Sequence, residues 1–410
     1  RTFVTDFGRR AFRRPLEQSE IDKYANLILG EASFSEGVEV ALQVMLTSPY
    51  FLYRFEIGSD QADGSARLGA YEIASALSYG FWGTMPDDIL LDAAEAGELD
   101  TPAGIEAQAR RLLDDPRARE LLGTFAAQWL GIESIAVADK STVTYPEWQP
   151  ALGAAMAEET RRFVTHVVFD GSGSFDELLT ADYSLVNPAL ASHYGIAGLD
   201  PGLGDQDFVE AQLPPERAGL LGHASLLASY AHSDQSSPVR RGLFVRQRLL
   251  CQQFGTPPPN AGGVPEVDPN ATTRERFRQH SSDPNCAICH QFIDELGFGF
   301  ERFDGIGRWR ESENGQAIDA SGDLNDVEGL GTGTSAPFDT LPALGAILVD
   351  SEAAHACYAR QSFRFAMGKL ESAQDLCALA DIESAFAASG YDVQELLVAL
   401  VTSPSFVNRR

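Results

Sequence analysis

Apolar residues recur three or four positions apart along most of this chain, the spacing of helices that bury one face. The pattern predicts helices over about 17–29 and 36–47, the second ending at Ser48-Pro49, where proline restricts the residue before it. Tyr71 to Trp82 continues the same spacing, and Met85-Pro86-Asp87-Asp88 restarts the chain with acids suited to a first helical turn. Further helices are predicted from Asp115-Pro116 through Leu130, over Ala151–Val168, over Asn187–Tyr194, from Pro214 through Tyr230 and over Arg240–Cys251. After a turn-rich region at 296–338, helical spacing resumes near Leu341, at about 352–367, 375–388 and 392–402. Sustained two-residue alternation is missing and no segment repeats, so neither a propeller nor a sandwich fits. The expected class is mainly α, built of multi-helical modules with one loop-rich segment.

Breaks in the pattern suggest four modules: 1–57, 68–207, 212–345 and 346–410. The linker Gly58–Ser65 and the glycine-rich stretch Gly195–Asp207 mark boundaries, and Thr256-Pro257-Pro258-Pro259-Asn260 reads as a stiff extended connector. At 410 residues, 44% hydrophobic, the chain can bury at least one sizeable core. Acidic residues outnumber basic ones by 59 to 31, a net charge of -28. That field repels phosphate backbones and anionic membrane surfaces, so nucleic-acid binding is not expected. It suits a basic protein partner or a neutral or cationic substrate, or it serves solubility alone. No run approaches 18 apolar residues, so no transmembrane helix is expected. The opening Arg1-Thr2-Phe3 has neither an initiating Met nor a signal peptide, as expected of a mature or trimmed form.

Chemistry concentrates in Cys286-Ala287-Ile288-Cys289-His290. C-x-x-C-H places two thiols and an imidazole on one helical turn, as covalent attachment of a c-type haem requires. Asp283 suits the N-cap and Pro284 the first helical position, so the helix should run to Leu296 and stop at Gly297. Cys286 and Cys289 would attach one haem c and His290 would be the proximal iron ligand. A zinc site completed by His280, or a redox dithiol, are the competing readings. A single such motif excludes a dihaem enzyme within this chain. The distal group is open: Met367, Met85, His232 and His280 are the candidates, with His355 behind them. An open distal site would want a polar group, which His232 beside Ser233, Asp234 and Arg240 would supply.

Downstream, Phe298, Phe300, Phe303 and Trp309 are candidates to enclose the porphyrin, and Arg302, Arg308 or Arg310 to hold its propionates. The alternative is a glycine-turned apolar loop with surface arginines. Asp319 to Asp326 offers oxygen ligands that calcium would accept, although Leu330 stands where an EF-hand needs its last carboxylate. A solvent-facing turn is the simpler account. Of the remaining cysteines, Cys357 and Cys377 flank one predicted helix and are expected to pair, leaving Cys251 as a buried thiol.

Several of these segments resemble a set of domain families of unknown function, numbered 1595, 1592, 1588 and 1585, found fused in exported planctomycete and myxobacterial cytochrome-type proteins. Phe7 to Pro15 resembles the first; Leu77 to Trp82, Met85 to Asp88 and Gln128-Trp129-Leu130 resemble the second. Arg217 to Leu221, Ser237 to Gly242 and Cys289 through Asp304 resemble the third, and Phe363 to Lys369 with Ser403 to Phe406 the fourth. The resemblance implies export, to a periplasmic or extracellular setting, and a haem role. It adds weight to the Cys357–Cys377 pairing, because the last module typically carries cysteines around this helix. It selects no reaction. Three roles stay open: electron transfer with a redox protein partner, a haem peroxidase or oxidase acting on a small-molecule oxidant or substrate at an open distal site, and a structural or binding protein stabilised by haem.

Overall fold

The computed structural model describes residues 1–255, 265–280, 284–327 and 335–409, with the backbone alone for 279, 280 and 284–286. The connector at 256–260 and the expected Asp283 cap lie outside the described residues. Among the described residues there are twenty α-helices and only short strands, so the chain is mainly α. The helices Gln18–Gly30, Phe34–Leu46 and Ala70–Trp82 fall within two residues of the positions set by the apolar pattern. Their neighbours start where a side chain takes an orphan N–H: Asp87 accepts from Leu90, Thr101 from Gly104, Asn187 from Leu190 and Ser237 from Arg240. The last three are followed by proline in the first turn, where its missing N–H costs nothing.

Three segments differ from the pattern. Thr2–Phe12 is a helix, burying Val4, Gly8, Ala11 and Phe12 while Arg9 and Arg10 sit in its last turn. The long helix expected from Pro214 is instead a turn followed by Ala224–Ser229. Gly219 breaks it: its φ is 45° and its α-carbon lies against the backbone of Leu178 and Leu179, a place closed to any side chain. The helix expected over Arg240–Cys251 is Pro238–Phe244 running into a π-helical turn at Val245–Leu249. The turn-rich region 296–338 also carries two short antiparallel pairs, Ser312–Glu313 with Gln316–Ala317 and Gly322–Asn325 with Ser335–Phe338.

The chain forms two compact units, Arg1–Leu121 with Ala366–Ile382 and Leu396–Arg410, and Leu122–Phe365 with Glu383–Glu395. In the first, three N-terminal helices pack Val4, Phe12, Tyr24, Ile28, Ala41 and Met45 together. The C-terminal strand Asn408–Arg409 joins Ala66–Arg67 and Ser59–Asp60 in a three-stranded antiparallel sheet.

In the second unit the helix Pro150–Phe169 packs Met156 with Val186, Leu190 and Ile306. Its fully buried Glu159 accepts hydrogen bonds from Tyr194 and Ser184, and burial pushes that carboxyl up to about 7. Pro238–Phe244 packs against Pro284–Phe298 through glycines. A methyl at Gly242 would strike the carbonyl of Ile293, and one at Gly297 the carbonyl of Pro238. Arg241, 1% exposed, donates from its guanidinium to the carbonyls of Leu227, Phe300, Phe303 and Asp304 at 2.6–3.0 Å. Arg246 donates to the carbonyls of Phe292 and Asn325 and to the Asn325 amide oxygen.

The disulfide joins Cys251 to Cys357, with α-carbons 5.3 Å apart, and so corrects the expected Cys357–Cys377 pair. Cys251 follows the π-helical turn with φ 52°, which turns its side chain toward the buried Cys357 on the helix Glu352–Met367. Cys377 is exposed and free, near the start of Leu376–Ala388. Proximity in sequence misled because the true pair spans 106 positions. The chain-entropy relation assigns a loop of that size about 4–5 kcal/mol. Cys251→Ser with Cys357→Ser should lower the unfolding free energy obtained from a urea titration by an amount approaching that figure. Arg241→Met should cost about 3 kcal/mol or more in the same titration, since four carbonyls lose a charged donor.

Candidate functional site

The helix Pro284–Phe298 carries the C-x-x-C-H turn. Cys286 lies on it, but its side chain is outside the described residues, as is that of His280. Cys289 is a partly buried free thiol. Four residues after His290, Asp294 stands on the same helical face, and its Oδ1 accepts from His290 Nδ1 at 2.8 Å. Asp294 is 5% exposed, and its Oδ2 has no hydrogen-bond partner among the described residues. The Asp294 hydrogen bond raises the imidazole pKa above its ordinary value, against a smaller opposing effect of burial. Beside the pair lies a cavity of about 180 Å³ lined by Arg278, Ala287, Gln291, Glu295 and Phe298. With Nδ1 engaged by the carboxylate, Nε2 is the nitrogen that would meet a metal. An imidazole so oriented, one residue from the Cys289 thiol, is the donor chemistry that a c-type haem would use.

Of the seven expected haem contacts, Phe298 alone lines this cavity. Its buried ring lies under Arg274 and Arg278, at 4.6 and 5.9 Å. Phe300 and Phe303 are buried, and Phe303 meets Trp309 edge-on at 5.2 Å and Arg217 at 4.9 Å. Arg302 stacks over Trp309. Arg308 pairs with Glu147 and Asp304, and Arg310 with Glu301 and Glu313. Trp309, Arg308 and Arg310 line a separate cavity of about 470 Å³ with Tyr145, Asp234 and Arg276.

The expected distal groups stand on different segments of the chain. Met85 and Met367, both half-buried, belong to the first unit, whereas His290 belongs to the second. His355 Nε2 donates to Asp176 Oδ1 at 2.8 Å, and the ring stacks on Tyr391. His232 is half-buried, and burial, reinforced by Arg240, lowers its pKa to about 4. The expected calcium ligands also turn to other partners: Asp319 accepts from Ser321, Asp323 from Ser335, and Asn325 from Arg246. Among the described residues, no group of three or more His, Cys, Asp or Glu side chains converges as a metal site. No helix among them is long and apolar enough to cross a membrane.

Sequence reasoning overlooked Asp294, although its position four residues after His290 was a usable signal. It also overlooked a cavity of about 960 Å³ lined by Gln149, Glu158, Asn187, His193, Phe208 and Arg308 among others. No motif marks those residues, because they come from separate elements. His193 Nε2 lies 2.9 Å from the carbonyl of Ile306, and burial, then Arg217, lowers its pKa to about 4. The unfolded chain takes up this proton near pH 6.5 and the folded chain only near 4, so the unfolded state binds more protons between those values. Stability should therefore rise with pH across that window, by at most about 3 kcal/mol from this residue. Urea titrations at pH 4.5 and 6.5 should show that rise, and His193→Gln should flatten it.

No curated protein and no solved structure matches the chain. Four family models do, each described as a protein of unknown function: DUF1595 over residues 1–56, DUF1592 over 68–196, DUF1588 over 217–313 and DUF1585 over 334–406. The C-x-x-C-H helix falls inside the third. The chain thus carries, in that order, the four planctomycete-type cytochrome-like domains that its sequence resembles.

Proposed function

We propose that the chain is an exported monohaem c-type redox protein that exchanges single electrons with a protein partner. The observation that carries this reading is the turn Cys289-His290 on a surface helix, its imidazole held by a buried carboxylate beside a shallow cavity. Cys286 and Cys289 would hold the haem and His290 would ligate it, and a haem so bound supplies one-electron chemistry. Ile288 is 64% exposed and Gln291 is exposed on the same helix, so a group seated here would lie near the surface, within a partner's reach. A net charge of -28 would steer a basic partner toward the chain. The Cys251–Cys357 disulfide accords with an oxidising compartment and hence with export.

A second reading, a haem peroxidase or oxidase taking a small-molecule oxidant or substrate, draws support from Asp294. A carboxylate behind the proximal imidazole makes it a stronger donor, a feature that suits an open distal side.

Expression with a cytochrome-maturation system should give haem that survives denaturation and acid–acetone extraction, and Cys286→Ala with Cys289→Ala should abolish that retention. Loss of all haem mass from the wild-type protein would overturn both readings. Low-spin ferric iron inert to peroxide and cyanide supports the electron carrier. High-spin iron that reacts rapidly with peroxide supports the enzyme instead.

A further inference from the structure

We infer that Asp294 is a positioning residue for the haem: its carboxylate fixes the His290 tautomer with the proton on Nδ1 and lowers the reduction potential of the bound iron. This rests on the haem reading above. The two side chains are four apart on one helix, so the backbone sets their 2.8 Å separation without help from a loop. Asp294 is 7% exposed at its side chain, so solvent screens it little.

The neighbouring cations are engaged elsewhere. Arg274 and Arg278 both reach Glu295, at 3.0 and 3.3 Å, and Arg274 also reaches Asp319. Among the described residues, Asp294 is ion-paired with His290, and its second oxygen has no hydrogen-bond partner. Its negative charge is therefore directed at the imidazole rather than spent on an arginine. A neutral backbone carbonyl would fix the same tautomer but would bring no charge. A full carboxylate increases the basicity of the ligating nitrogen and places a negative charge behind it. Both effects stabilise the more positive oxidation state of a metal on that nitrogen, which lowers its potential.

The test compares wild type, Asp294→Asn and Asp294→Glu as holoproteins, by redox titration followed optically, with covalent haem quantified in each. Asp294→Asn keeps shape while removing the charge, and should raise the potential with haem content unchanged; Asp294→Glu should keep it nearer the wild type. Equal potentials in wild type and Asp294→Asn, both fully loaded, would overturn the inference and leave the haem reading intact. If the wild type carries no covalent haem, the haem reading itself fails. The tautomer half is tested separately by nitrogen NMR of haem-free protein. His290 should hold its proton on Nδ1 in the wild type and lose that preference in Asp294→Ala, which removes the acceptor, and an unaltered tautomer there would refute the positioning role.

Discussion

One buried guanidinium organises the segment around the candidate site. Arg241 gathers carbonyls from Leu227, Phe300, Phe303 and Asp304, joining the end of one helix to the loop that follows the C-x-x-C-H helix. Burial pulls this guanidinium down to about 10, still far above neutral pH, so the donor stays charged. Carbonyls at loop positions lack ladder partners, and a buried loop is tolerable only when something satisfies them. The same solution recurs: Arg217 donates to the carbonyls of Gly222 and Gly307, and Arg246 to those of Phe292 and Asn325. In so acidic a chain these arginines bind backbone dipoles rather than carboxylates.

This clamp works together with the glycine crossing. Gly242 neighbours Arg241 in sequence and meets the carbonyl of Ile293, directly before Asp294. The close approach of the two helices therefore fixes the backbone on which both His290 and Asp294 stand. Orientation of the imidazole is thus a property of the packed core.

Much of this architecture was legible in the sequence, for identifiable reasons. Helices with a strong apolar stripe and a capped start, such as Ala70–Trp82 and Asp88–Glu95, declare themselves locally. The C-x-x-C-H turn is equally local, since its residues are consecutive in the sequence. What the sequence hid depends on tertiary contact. Gly219 looked harmless within an apolar run, yet its φ of 45° and its packing against Leu178 and Leu179 rule out one continuous helix through it. Arg308 and Arg310 looked like propionate ligands, but Arg308 pairs with Glu147 and Asp304, and Arg310 with Glu301 and Glu313. The aromatic residues after the helix fill the interior of their own unit, so composition near a motif says little about what faces it.

Under the haem proposal, the order of the thiols along the chain carries a consequence for biogenesis. Cys251 comes before Cys286 and Cys289, and its partner Cys357 comes after them. Were the chain delivered amino end first into an oxidising compartment, Cys251 would meet Cys286 and Cys289 before Cys357 arrived. A rapid oxidant would then trap wrong bridges and block the thiols that the proposed haem would need. Maturation would in that case demand either that sulfurs stay reduced until delivery is complete or that a reductant reshuffles early errors.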